Sequence, residues 1–136
     1  MKMFTKPLAA LLGVATLCGA LPASAHHSFA IYDRTKTLTL VGEVKSFQWT
    51  NPHCVIWFTV KPAGGGEAQD WGVETTSPGV LTRSGWTRNS IKAGDKVSVV
   101  FNPLRDGSHG GGLNSVTLLA TGQVLVANFA APDKGK

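Results

Sequence analysis

From Thr37 onward apolar residues recur mostly at every second position, the period of a strand with one buried face. Leu38, Leu40 and Val44 share one parity, whereas Phe47 and Trp49 fall on the other. A long first strand must therefore slip its register, and Gly42 inside it predicts a bulge or sharp coil there. Asn51-Pro52 makes a turn, and residues 54–60 are an almost continuous apolar and β-branched run, a central strand covered on much of both faces. Within that run Cys54, Ile56 and Phe58 share a parity and Trp57 lies on the opposite one. Residues 63–66 form a flexible hairpin tip, and residues 68–75 a third, weaker strand carrying Trp71 and Val73.

Ser77-Pro78 predicts a short helix, with the Ser77 hydroxyl placed to cap it and proline at its first position. Gly85 stops it, which confines the helix to about residues 77–84. Lys92-Ala93-Gly94-Asp95 is a turn, and Val97, Val99 and Phe101 alternate inward along a fourth strand. Residues 102–112, with a proline and four glycines, read as a loop. Residues 113–119 and 124–127 are strands five and six, joined at Thr121-Gly122, and the chain from Ala130 on reads as a frayed tail. Three strands, a helix, two strands and an added arm is the order of a small all-β, OB-like Greek-key β-barrel of five to six strands, with one short helix between strands 3 and 4. A small open β-sandwich has almost the same order. The expected core is Ile56, Phe58, Val97, Val99 and Phe101.

The first 25 of the 136 residues follow a different pattern: Met-Lys-Met-Phe-Thr-Lys, an uncharged apolar stretch over residues 8–21, then Ala23-Ser24-Ala25. A positive segment, a short apolar segment and a small-residue cleavage site in that order are an export signal, with cleavage after Ala25. The expected organisation is a signal peptide at 1–25, an N-terminal arm at 26–36, the barrel domain at 37–129 and a flexible tail at 130–136. The apolar stretch is short of the roughly 20 residues that span a bilayer, so no membrane span is expected after cleavage, and the location is periplasmic or secreted. Leu17 stands before Cys18 where a lipoprotein signal wants a small residue. Cleavage would leave Cys54 as the single cysteine and no methionine, which excludes an intramolecular disulfide. Removing Lys2 and Lys6 lowers the net charge from +5 to +3, and the basic residues are scattered singly, a composition that argues against nucleic acid. Charged residues are only 15% of the chain and glycine numbers 16, in keeping with strands and turns.

His26-His27-Ser28-Phe29-Ala30, Leu40-Val41-Gly42-Glu43-Val44 and Trp49-Thr50-Asn51-Pro52-His53 together resemble the small exported bacterial proteins of domain of unknown function family 6152. Ser84-Gly85-Trp86, Lys92-Ala93-Gly94-Asp95 and residues 102–107 are similar too, so the resemblance covers essentially the whole mature chain. It implies an exported β-rich domain with no established activity. His109 and Cys54 stand outside its pattern.

Four histidines carry the candidate chemistry. Cleavage would make His26 the new N-terminus, where the α-amine and its own imidazole can chelate one ion, with His27 adjacent; imidazole sites of this kind favour copper or zinc, copper first. Both groups bind deprotonated, and with reference values of about 7.7–8.0 and 6.5 binding strengthens across neutral pH. The alternative is an exposed terminus with no ligand. His53, between strands one and two, is the third candidate metal ligand. Its alternative role is a hydrogen bond to a backbone carbonyl that fixes the Asn-Pro turn. His109, between strands four and five, lies in the other loop flanking the ligand face of an OB-fold, so the two rings are expected to approach each other, unless His109 sits in a solvated loop. Trp57 is a candidate ligand-stacking residue, or packs under the arm against Phe29 or Tyr32. Cys54 reads as a core residue. A blue-copper centre would also want an axial methionine. No catalytic residue is marked by a nucleophile and base at recognisable spacing. The readings in play are a copper-binding protein using His26, His27 and His53, a structural or protein-binding module with an exposed aromatic face, and a copper-dependent redox enzyme with an N-terminal histidine brace.

Overall fold

The computed structural model describes residues 29–130. Strand β1 (Leu38–Gln48) is long enough to pair twice, with β4 (Lys96–Pro103) along its first half and with β2 (Val55–Val60) along its second. Strand β2 turns back into β3 (Gln69–Glu74), α1 (Pro78–Arg83) leads to β4, and β5 (Gly110–Leu118) and β6 (Val124–Val126) follow. All neighbouring strands are antiparallel except β3 and β5, which run parallel with 72–74 against 110–112 and close β1-β2-β3-β5-β4 into a barrel. The molecule is thus the OB-like Greek-key barrel with one helix between β3 and β4, and β6 is added to β5. Among the described residues no helix is long and apolar enough to cross a membrane.

The change of parity in β1 is a bulge between Val44 and Ser46, so the extra residue is Lys45 rather than Gly42. Val44 is buried before it and Phe47 packs inward after it, against Trp49 and Trp86. Gly42 answers a different demand: a Cβ there would collide with the Thr59 carbonyl and come within 3.0 Å of the Phe58 ring. Ile56, Phe58, Val97, Val99 and Phe101 have no accessible surface and form the core as expected. Trp86 is the largest fully buried side chain, and its indole N–H is satisfied by the Val126 carbonyl at 3.0 Å. At about 1.5–3 kcal/mol for each fully buried large side chain, this interior supplies most of the drive to fold.

Three expectations are corrected. The stretch 102–112 is not one loop: β4 runs to Pro103 and β5 begins at Gly110, so only residues 104–109 connect them. The glycines belong to the strand because nothing larger fits. A Cβ at Gly110 would lie 2.8 Å from the Gly72 carbonyl oxygen across the barrel seam, and one at Gly112 2.5 Å from the Ala130 Cβ. Ala130 is accordingly buried, not frayed, and the rest of the proposed tail lies outside the described residues. Ser77 does stand at the N-cap, but its hydroxyl makes no capping hydrogen bond; Gly85, at φ +86, ends the helix.

Candidate functional site

The register of β2, β3 and β5 sets Val55, Glu74 and Gly112 side by side, and on the outer face of this row a small polar cluster is built. Glu74 accepts two hydrogen bonds, one per carboxylate oxygen: the Tyr32 hydroxyl donates to Oε2 at 2.7 Å, and His53 Nδ1 donates to Oε1. A carboxylate only accepts, so Nδ1 carries the proton and any metal bond from this ring runs through Nε2. This partner differs from the backbone carbonyl considered above. His53 follows the Asn51–Pro52 peptide, which is cis.

Gly112 leaves room over the seam, and the two ends of the described chain fill it. Phe129, held by its backbone N–H on the Leu113 carbonyl at 2.8 Å, lies edge-on to Phe29, Tyr32 and His53, with ring centroids 5.3, 6.0 and 5.1 Å away. The arm is further tied by Arg105, whose backbone N–H and Nε donate to the carbonyls of Ile31 and Ala30. Tyr32 is left 3% exposed. Burial, and then the hydrogen bond and charge of Glu74, push its phenol far above the ordinary value.

His53 and His109 are held by different partners. His109 stacks on Trp71 at 4.5 Å and 17° between planes, and Trp71 packs on Phe101; His109 is nonetheless exposed, in keeping with a solvated loop. Trp71 and Glu74 leave β3 on opposite faces. Trp57 is 39% exposed and lies across Gly72, its indole N–H donating to Gln48 Oε1 at 3.2 Å; Phe29 and Tyr32 meet Phe129 instead. Cys54 is a free, buried cysteine whose thiol is pushed up by burial. His26 and His27 lie outside the described residues, among which no three His, Cys, Asp or Glu side chains stand close enough to hold a metal ion.

Sequence reasoning gave Glu74 no role and considered Tyr32 only as a packing partner for Trp57. Neither lies in a motif with His53; a shared row across β2 and β3 relates Glu74 to the turn, and only the strand register reveals it.

Residues 14–114 match the family model described as a family of unknown function, DUF6152. No curated protein and no solved structure matches the chain.

Proposed function

The chain belongs to DUF6152, a family of unknown function, and within it we propose that this member is an exported binding protein that holds one copper ion through His26, His27 and the Nε2 of His53. The observation that carries the reading is the docking of the N-terminal arm beside His53: Phe29 and His53 pack against the same Phe129 ring. His27 and His26 precede Phe29 by two and three residues, spans of at most about 7 and 11 Å, so chain length allows both to approach the turn. The Glu74 carboxylate supports it further. A metal-binding histidine characteristically donates its other N–H to a carboxylate, which fixes the ring and raises its basicity. A donor set of nitrogens ranks Cu(II) above Zn(II).

Calorimetric titration of Cu(II) into protein beginning at His26 tests the proposal, alongside the same protein acetylated on its α-amine. One equivalent should bind tightly to the natural terminus, and acetylation should weaken it at least tenfold, since one ligand is lost while every imidazole remains. His53→Ala should cost a further tenfold, about 1.4 kcal/mol. Equal uptake by acetylated and natural forms overturns the reading, as does an intact mass showing that the exported protein begins elsewhere than His26.

A further inference from the structure

A second constellation occupies the outer faces of β1, β2 and β3. The register sets Ser46, Trp57 and Gly72 in one row and Glu43, Thr59 and Asp70 in the next. Gly72 is what lets the indole lie down: a Cβ there would stand 2.6 Å from the ring. With one edge anchored on Gln48 and one side against the β3 backbone, Trp57 turns a fixed aromatic surface to solvent. Two positions further along the same face of β2, Thr59 lines a groove of about 560 Å³, within the usual size of a ligand site, together with Val41, Glu43, Lys45, Lys61 and Lys96.

The charges of this groove decide what it suits. Lys45 pairs with Asp70 and Lys96 with Glu43, so ammonium and carboxylate groups alternate, and Thr59 donates to Asp70 at 2.8 Å. Three lysines against two half-exposed carboxylates, Glu43 and Asp70, leave a net charge of only +1, too little to hold a phosphate backbone by charge alone. Sugar hydroxyls both donate and accept, so they match a surface that offers both, and a pyranose ring presents a C–H face that stacks on an indole. The ligand face of OB barrels takes oligosaccharides as well as oligonucleotides. We infer that this face binds a glycan chain, with one sugar ring stacked on Trp57 and its neighbours hydrogen-bonded along the Lys45–Lys61–Lys96 groove. The inference is independent of the copper site.

The test follows the indole N–H signals of ¹⁵N-labelled protein, in EDTA so that metal plays no part, during addition of cellohexaose, chitohexaose, hexagalacturonate or a thymidine dodecamer. At least one hexasaccharide should shift the Trp57 signal, leave that of buried Trp86 in place, and bind at least tenfold more weakly to Trp57→Ala. Trp57→Phe, which keeps a ring, should retain part of the affinity and covers the case in which the alanine variant does not fold. Lys61→Ala should weaken hexagalacturonate more than cellohexaose. The inference is overturned if no hexasaccharide moves the Trp57 signal, if binding survives Trp57→Ala undiminished, or if the dodecamer alone binds.

Discussion

Tyr32 is the only tyrosine of the chain, so its ionisation can be read directly from the tyrosinate absorbance. Its hydroxyl is buried and donates to Glu74. An unfolded tyrosine ionises near pH 10. In the folded protein burial first, and the neighbouring carboxylate second, oppose a phenolate, so ionisation should be absent at pH 11 and appear only as the fold is lost. The sign follows from proton linkage. The folded state keeps its proton longer than the unfolded state, so the contribution to stability is complete below pH 10 and declines as pH rises beyond it, by at most about 1.4 kcal/mol per pH unit. Tyr32→Phe should remove that alkaline slope. At neutral pH it should cost about 0.5–1.5 kcal/mol, the net worth of one hydrogen bond. Glu74→Ala should cost more, about 1–3 kcal/mol, because it leaves a buried donor without an acceptor. Combined, the two changes should cost less than their sum, since the phenylalanine has no donor to strand. Urea unfolding followed by tryptophan fluorescence measures all three, and spectrophotometric titration in buffer and in denaturant measures the ionisation. A folded protein that titrates near pH 10, or a strictly additive pair, refutes the Tyr32–Glu74 argument.

Phe101→Ala empties the centre of the barrel and should cost about 3–5 kcal/mol in urea unfolding; a loss below about 1 kcal/mol would show that the site can collapse around the missing ring. Cys54 should stay unmodified by a thiol reagent in the native protein at pH 8 and react fully in denaturant, because the thiol is enclosed and its pKa is raised by burial. Asp33, Glu43, Asp70 and Asp106 are held below the ordinary carboxylate range, chiefly by hydrogen bonds from Thr35, Lys96, Lys45 and Ser108 respectively. The stability they supply is present above about pH 5 and is lost as pH falls through 4 and below, so the urea midpoint should drop over that interval, and a flat profile would count against these contacts.

The alternation of residues 97–101 and 54–60 was enough to identify the inward faces, because a half-buried strand repeats its burial every two residues wherever it lies in the fold. The change of parity in β1 likewise announced a bulge, although its position at Lys45 depends on how β2 pairs. Other features depend on which strands become neighbours. Gly110–Gly112 look like a loop in sequence, yet they form strand because Gly72, Phe101 and Ala130 come too close for any side chain there. Ala130 looks like the start of a tail, yet it is buried next to Phe129, whose backbone N–H is bonded to the Leu113 carbonyl. Legibility within the candidate site divided in the same way. The histidines could be named from the chain alone, since imidazole chemistry travels with the residue. The Glu74 that holds His53, the Tyr32 buried against it and the ring that joins both to the N-terminal arm lie 21 to 97 positions apart in sequence. Barrel closure through the parallel β3–β5 pair brings them together, and no local pattern encodes a contact made by two distant strands.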